Sequence, residues 1–170
     1  MNLQLLSLNS LFILVFAFFW LLLLYYSILT VAGILYRGRK FRSFPLEHYP
    51  SVSLFIPAYN EGIVLAQTLD AMTKLDYPGE LTIYVLNDHS KDHTGEIAQF
   101  FADVFPRIRH VLVPPGLPKG KSRVLNYGLS ISQSEYFAVY DADNQPEPDA
   151  LRLLVEAAVR TPKAVGAVGY

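Results

Sequence analysis

The sequence contains no cysteine, and charged residues are absent from its first 36 positions. Without cysteine the chain has no disulfide scaffold, no thiol nucleophile and no thiolate metal site. The 14 basic and 15 acidic side chains nearly cancel, and a net charge of -1 gives no electrostatic reason to expect a nucleic-acid partner. Because all of these charges follow Tyr36, an uncharged apolar segment is joined to a segment of ordinary soluble composition.

The apolar segment has the length of a membrane-spanning helix. Between Leu11 and Ile34 only Ser27, Thr30 and Gly33 interrupt the apolar run. A helix over these residues is about 36 Å long, enough to cross a hydrocarbon core of about 30 Å. A cleaved signal peptide is disfavoured because the run lacks a basic leading region and a small-residue cleavage site. A buried core helix is disfavoured because the run is apolar on every face.

The residues that follow this run predict its orientation. No basic residue precedes the run, whereas four basic residues come directly after it: Arg37, Arg39, Lys40 and Arg42. By the positive-inside rule, the side that follows the helix faces the cytoplasm. We therefore predict that residues 1–42 form a membrane anchor with a basic cytoplasmic flank, a single span that places the chain in the plasma membrane with the lipid bilayer as its partner.

The rest of the chain alternates between short apolar runs and helical patterns. A proline-containing linker at 43–50 precedes a domain at 51–170. Strands are predicted at 52–56, 81–86, 111–113, 136–140 and 164–170, and helices at 61–74, 94–105, 121–132 and 150–160. This alternation predicts an α/β fold with a mostly parallel, Rossmann-like sheet, whose ligand lies beyond the carboxyl ends of the strands.

Acidic residues follow two of the predicted strands. Asp141 and Asp143 end the strand at 136–140, and side chains two apart in an extended chain point the same way. Together they could hold one hard cation, Mg²⁺ or Mn²⁺, through oxygen. Asp88 follows the strand at 81–86 and could accept an N–H from a nucleobase. The alternative is that these acids lie in solvated turns and cap the next helix.

A loop with glycine and lysine precedes the helix predicted at 121–132. Three residues separate Gly116 from Gly120, where a Walker A loop requires four, so a P-loop NTPase is disfavoured. Lys119 and Lys121, at the start of a helix, still favour a diphosphate site, with a solvated basic turn as the alternative. A zinc site between the two histidines of the preceding loop, at 89 and 93, is disfavoured because they need not share a helix face.

Taken in order, these loops resemble the N-terminal half of the family 2 inverting glycosyltransferases, which have a GT-A fold. The matching segments are VSLFIPAYNEG (52–62), YVLNDHSKDHTGEIA (84–98), GKSRVLNYGL (120–129) and YFAVYDADNQPEPDAL (136–151). With its preceding span, the chain is most similar to the membrane-embedded synthases of cellulose, hyaluronan and poly-N-acetylglucosamine. The resemblance implies transfer of a hexose, with inversion, from a nucleotide-sugar donor, expected to be a UDP-hexose, to a glycan or lipid acceptor.

The resemblance assigns the first two loops to the nucleotide. Pro57 and Tyr59 would line the base pocket, with Tyr59 stacking on uracil. Ala58 and Glu61 would belong to the same nucleotide-sugar site. Asp88 would read the edge of the uracil ring.

The other two loops would serve the diphosphate and the metal ion. Lys121 would meet the diphosphate, and Asp141 would contact the ribose and the nucleotide. Asp143, together with Asp141, would hold the Mg²⁺ or Mn²⁺ that bridges the diphosphate. His89 departs from the family pattern, which often has Gly or Asp there. The family's general base lies on a later loop, so we expect it beyond Tyr170 and expect the chain to be a donor-binding fragment without activity of its own.

Two alternatives to a glycosyltransferase stay open at this point. A nucleotidyltransferase also uses carboxylate-held Mg²⁺, but it normally has a glycine-rich basic loop after its first strand, and residues 57–61 are neither. A membrane-anchored subunit that binds a nucleotide sugar without turnover would need the same four loops.

Overall fold

The structure, a computed structural model, describes residues 3–37, 45–161 and 163–169 of the 170-residue chain. The chain divides into two compact units, Met1–Arg42 and Ser43–Tyr170.

The first unit is one long helix, α1 (Leu3–Arg37). Within its apolar stretch, Asn9–Tyr36, an 18-residue window has a mean hydropathy of 2.5, and no residue of that window is buried. The hydroxyl groups of Ser27 and Thr30 donate to backbone carbonyls one turn earlier, at 2.7 and 2.8 Å, so these polar groups are satisfied within the helix. By length and composition α1 could cross a membrane. The basic residues 39, 40 and 42 lie outside the described residues, so the orientation stays a prediction.

The second unit is built on a parallel four-stranded sheet. Its strands are β1 (Val52–Ala58), β2 (Leu81–Asn87), β3 (Ile108–Leu112) and β4 (Tyr136–Val139), and their spatial order is β3-β2-β1-β4. The helices that connect or follow them are α2 (Leu65–Thr73), α3 (Thr94–Val104), α4 (Lys121–Ile131) and α5 (Ala150–Arg160). The predicted α/β architecture with a parallel sheet is confirmed.

Alternating side chains of the strands pack into two separate cores. Even-numbered residues of β1, among them Leu54 and Ile56, are buried against α2, α3 and α5. Phe55 points to the opposite face, where it packs with Tyr84 and Val124 beneath α4. Both faces of β1 and β2 are therefore apolar, which explains why their sequences read as continuous apolar runs.

β1 continues through a proline that was expected to end it. Its pairing with β4 runs from Val52 to Phe55, and its pairing with β2 continues to Ala58. The backbone N–H and carbonyl of Phe55 point toward β4, since this carbonyl accepts the N–H of Tyr140 at 3.0 Å. The backbone of Pro57, two residues further, points toward the same side of the strand. The pairing of β1 with β4 has ended there, so the missing N–H of the proline removes no hydrogen bond from the sheet.

Two predicted elements begin several residues away from their predicted start, and a third is not formed by the described residues. α2 begins four residues later than predicted, and Ile63, which lies within the predicted helix, is 94% exposed. β3 begins three residues earlier than the predicted strand, because an edge strand tolerates the charged residues of that segment. The strand predicted at 164–170 is wrong for the described residues 164–169. Val165 and Val168 there are exposed and lack the buried face of a sheet strand.

The predicted linker is packed against the domain over residues 45–50. The Tyr49 hydroxyl donates to Glu156 on α5 at 2.6 Å, and the Tyr77 hydroxyl donates to the Pro50 carbonyl at 2.6 Å. Arg160 donates to the carbonyl of Pro45 at 2.8 Å. Burial raises the pKa of Tyr77 to about 12. The segment that precedes β1 is thus fixed to the domain by side chains that follow it in the sequence.

Candidate functional site

A cleft of about 930 Å³ lies at the carboxyl ends of the strands. The chain adds β2 and β3 on one side of β1 and then places β4 on the other, so the strand order reverses beside β1, the position where ligands bind in open α/β sheets. The cleft is within the size range of small-molecule sites. Its lining includes all eight residues predicted for the donor and metal sites: Pro57, Ala58, Tyr59, Glu61, Asp88, Lys121, Asp141 and Asp143.

Hydrogen bonds fasten the loop after β1 to the loop after β2. The backbone N–H of Asn60 donates to Ser90 Oγ at 3.0 Å, and the N–H of Lys91 donates to Asn60 Oδ1 at 2.8 Å. The N–H of Glu61 donates to Thr94 Oγ1 at 2.8 Å. Asn60 adopts a left-handed conformation, with φ at 56°, that asparagine tolerates better than most residues. These contacts fix the backbone on both sides of Asn60 and so hold Tyr59 at the rim of the cleft.

Asp92 completes the connection between these two loops. Its carboxylate accepts the hydroxyl of Thr94 at 2.5 Å, the N–H of Thr94 at 3.1 Å and the N–H of Gly62 at 2.9 Å. The hydrogen bond from the Thr94 side chain, followed by those from the backbone, lowers the pKa of Asp92. Asp92 therefore stabilises the start of α3 and also reaches the neighbouring loop.

Asp88 forms an ion pair that was not predicted. Its Oδ1 accepts from a terminal nitrogen of Arg123, which lies on the first turn of α4. The other terminal nitrogen of Arg123 donates to the Pro114 carbonyl at 2.5 Å. The two paired side chains are only 15% and 20% exposed. One feature of the sequence could have indicated this pair: Arg123 is a second basic residue, two positions after Lys121, at the start of a helix that faces the cleft.

Asp141 and Asp143 lie on a turn that is held from behind. The N–H of Asn144 donates to the carbonyl of Asp141 at 3.1 Å, which closes the turn. Between the two acids Ala142 is buried, and its carbonyl accepts the hydroxyl of Thr68 on α2 at 2.6 Å. Thr68 had been missed because a buried threonine on a helix resembles ordinary core. This contact fixes the backbone of the turn while both carboxylates face the cleft.

The two carboxylates fit a hard divalent cation. Lys121 forms an ion pair with Asp141, so the cationic group predicted for the diphosphate already lies beside one predicted metal ligand. Among the described residues, no group of three or more His, Cys, Asp or Glu side chains is placed to hold a metal ion. Mg²⁺ is commonly bound by one or two carboxylates and completed by substrate phosphates and water. The two carboxylates are therefore ligands of a suitable kind, whereas the Lys121 ammonium group has no lone pair and is not a metal ligand.

The two histidines considered for zinc have separate surroundings. His93 Nδ1 lies 3.0 Å from Glu96 on the surface of α3, whereas His89 lines the cleft. The described residues bring no third ligand to either one.

Comparison with known proteins identifies the family. Residues 53–170 match the family described as "Glycosyl transferase family 2". This chain belongs to glycosyl transferase family 2. It is 39% identical over 168 residues to the probable glycosyltransferase YdaM of Bacillus subtilis, covering 95% of this chain and 40% of that protein. The predicted family and its GT-A fold are confirmed.

Other family 2 relatives carry more specific names. A beta-monoglucosyldiacylglycerol synthase from Synechocystis is 33% identical over 108 residues, which cover 63% of this chain and 22% of that protein. A poly-beta-1,6-N-acetyl-D-glucosamine synthase from Staphylococcus epidermidis is 33% identical over 119 residues, covering 69% and 27%. The chain thus spans about two fifths or less of the length of these relatives.

A solved structure shares the fold of the domain. The mannosyltransferase PcManGT from Pyrobaculum calidifontis, in complex with GDP-Man and Mn²⁺, superposes with a TM-score of 0.58 at 28% sequence identity. The match covers 75% of this chain and 40% of that one. The family assignment decides against the nucleotidyltransferase alternative.

Proposed function

We propose that this chain supplies the donor-binding half of a membrane-anchored glycosyltransferase. The enzyme transfers a hexose from a nucleotide sugar, with inversion, to a glycan or lipid acceptor. The observation that carries the proposal is the convergence of eight residues, predicted from four separate loops, on a single cleft at the strand ends.

The side chains of the cleft suit the parts of a nucleoside diphosphate sugar. Tyr59 is 57% exposed at the rim and offers a ring face on which a base can stack. Asp88, held by Arg123 through one oxygen, keeps its second oxygen for a base N–H. Lys121, at the start of α4, suits the negative charge of a diphosphate. We propose a uracil base, with guanine as the alternative to be tested, because PcManGT holds GDP-Man.

Asp141 and Asp143 are the proposed ligands of Mg²⁺ or Mn²⁺. When bound, such an ion neutralises the charge of the departing nucleoside diphosphate. The protein's own contribution is to hold the two carboxylates through the Thr68 contact and to place Lys121 beside them. The general base that deprotonates the acceptor is, on this proposal, outside the 170 residues.

The acceptor and the membrane belong to the same proposal. Relatives named for a diacylglycerol product and for a polysaccharide product support a lipid or glycan acceptor. α1 is proposed as a plasma-membrane anchor that leaves the domain in the cytoplasm, where nucleotide sugars are made available to the cleft.

The test is donor binding by the full 170-residue chain in detergent, measured by calorimetry. UDP-glucose and GDP-mannose are titrated separately in Mn²⁺, in Mg²⁺ and in EDTA. We expect UDP-glucose to bind more tightly than GDP-mannose and to lose about tenfold in affinity when the metal is removed. Absence of binding by both donors in every condition would overturn the proposal.

A turnover assay tests whether the general base lies within the 170 residues. Release of UDP is measured with diacylglycerol and with glycan oligosaccharides as acceptors. We expect binding without turnover from the 170 residues alone, because general-base help contributes about 10²- to 10⁴-fold to such rates. Turnover by this chain would place the base within it.

A further inference from the structure

A chain of hydrogen bonds runs from α3 through β3 to the end of β2. The carboxylate of Asp103 accepts from Nε2 of Gln99 at 2.8 Å. Oε1 of Gln99 lies 3.1 Å from Nδ1 of His110, and Nε2 of His110 lies 3.3 Å from Nδ2 of Asn87. Four polar side chains are therefore connected in a single row.

The last member of this row closes the turn that carries Asp88. Oδ1 of Asn87 accepts the backbone N–H of Ser90 at 3.0 Å, across Asp88 and His89. Ser90 Oγ in turn accepts the N–H of Asn60, the residue that follows Tyr59. The row thus ends on the backbone of both loops that would bind the base.

The chemistry of the end group fixes the direction of every hydrogen bond. A carboxylate such as that of Asp103 only accepts, so Gln99 presents its NH₂ group to it and its oxygen to His110. Nδ1 of His110 must then donate, which leaves Nε2 of the neutral ring as an acceptor for the NH₂ group of Asn87. The oxygen of Asn87 is the atom that remains for Ser90. This hydrogen-bond pattern requires a neutral imidazole.

Protonation of the imidazole would break this order. With Nε2 protonated, two N–H groups would face each other between His110 and Asn87. A flip of the Asn87 amide would relieve that contact but would place its NH₂ group against the N–H of Ser90. Without the flip the row loses the hydrogen bond between His110 and Asn87, which orients the amide, and with the flip the turn loses the hydrogen bond from Ser90.

The surroundings of His110 contain few other charges. α3 presents Gln99 to the ring with Asp103 behind it, and β2 presents Asn87. Arg109, the preceding residue of β3, extends over the ring of Tyr84 at 5.8 Å, on the other side of the strand. Burial lowers the pKa of His110, which favours the neutral ring near pH 7.

Close packing keeps the Asn87 amide in place. Asn87 is 4% exposed, and a Cβ at Gly95 would lie only 3.1 Å from its Nδ2. The glycine at the start of α3 therefore leaves the space that the amide occupies. A buried amide of this kind is costly to leave without partners.

We propose that Asn87 and His110 are positioning residues for nucleotide binding: neutral His110 orients the Asn87 amide, and this amide holds the turn that carries Asp88. The choice of a nucleotide as the ligand rests on the proposed function, whereas the row of hydrogen bonds is observed in the structure independently of any ligand. Nucleotide affinity is then coupled to the protonation of a residue that does not line the cleft.

The first test needs no ligand. Hydrogen–deuterium exchange of the Ser90 amide is followed by mass spectrometry in the full chain in detergent at pH 7.5 and pH 5, corrected for intrinsic exchange. We expect protection to fall about fivefold at pH 5 in the wild type, the worth of about one hydrogen bond. His110→Phe should have the low protection at both pH values. His110→Gln, which carries an acceptor and a donor but does not titrate, should keep the high protection at both.

The second test measures UDP-glucose affinity in the same variants. UDP-glucose is used instead of UDP, because the terminal phosphate of UDP has a pKa of about 6 and would itself titrate in this range. Affinity should follow the Ser90 pattern, lower at pH 5 in the wild type and independent of pH in His110→Gln. His93→Gln is the matched control, because its imidazole is 82% exposed, and it should retain the wild-type profile.

The outcomes separate the two proposals. Equal Ser90 protection in the wild type at both pH values, or full protection in His110→Phe, would overturn the inference. The inference would also be overturned if the wild type binds UDP-glucose and His110→Phe binds it with the same affinity. If the Ser90 pattern holds but neither UDP-glucose nor GDP-mannose binds the wild type, the proposed function fails and the hydrogen-bond row remains.

Discussion

The ion pair between Asp88 and Arg123 gives the sharpest test of how the cleft is held together. The side chains are 15% and 20% exposed, so the pair is partly shielded from water. At an effective dielectric constant of about 20, two charges about 4 Å apart attract by about 4 kcal/mol, and desolvation cancels much of this. We expect a coupling free energy of about 1–2 kcal/mol between the two residues.

A double-mutant cycle measures this coupling. Arg123→Met keeps the apolar stem of the side chain and removes its charge, and Asp88→Asn is nearly isosteric. The free energy of unfolding of the wild type, both single variants and the double variant is obtained from urea titrations of the full chain in detergent. The double variant should be more stable than the sum of the two single losses predicts, because neither partner is left alone.

The matched control is the exposed pair between Asp70 on α2 and Lys74, the residue that follows this helix. Their nitrogen and oxygen lie 2.6 Å apart, but the side chains are 64% and 61% exposed. The corresponding cycle should give only about 0.3–0.5 kcal/mol. A coupling for Asp88 and Arg123 no larger than this control would refute the view that Arg123 fixes Asp88.

Three further predictions concern the metal, the pH dependence of stability and the topology. Asp143→Asn should lower UDP-glucose affinity about tenfold in Mn²⁺ and have little effect in EDTA, with Asp70→Asn as the control; equal losses in both media would give Asp143 a structural role. Because burial raises the pKa of Tyr77 to about 12, its stabilising contribution is complete below pH 10 and is lost as the pH rises through 12. The free energy of unfolding should fall by about 3 kcal/mol over this range, and a fall of the same size in Tyr77→Phe would contradict this cause. A reporter fused after Tyr170 should be active in the cytoplasm, and activity only outside it would reverse the predicted orientation.

The sequence predicted the fold because its pattern follows from simple geometry. Strands buried on both faces read as continuous apolar runs, as in Val52–Ala58, and alternation with helices requires parallel strands. Parallel strands bring their carboxyl ends to the same edge, so loops distant in sequence can be placed together from the sequence pattern alone. This is why residues as far apart as Tyr59 and Asp143 were predicted on one rim.

The errors arose where a local pattern was opposed by tertiary contacts. Ile63 lies in the segment predicted as helix, but the N–H groups of Glu61 and Gly62 donate to side chains of the neighbouring loop. Only a single turn, closed by the N–H of Leu65 on the Glu61 carbonyl at 2.9 Å, precedes α2. Pro57 was expected to end β1, yet it lies on a side of the strand where no further pairing occurs. Neither the start of α2 nor the end of β1 can therefore be predicted from the sequence of its own segment.

The contacts that hold the site were the hardest part to predict, for a related reason. A carboxylate after a strand can be recognised from its own position, but its partner depends on the register between elements. Asp88 meets Arg123, 35 residues later, and Ala142 meets Thr68, 74 residues earlier. Binding groups therefore follow from topology, whereas the groups that orient them follow from packing. The orientation of Asp88 depends on Arg123 on one side and on the Asn87 turn on the other, and neither was assigned a role from the sequence. Substitutions at these supporting positions should thus change nucleotide affinity even though every predicted binding residue is still present.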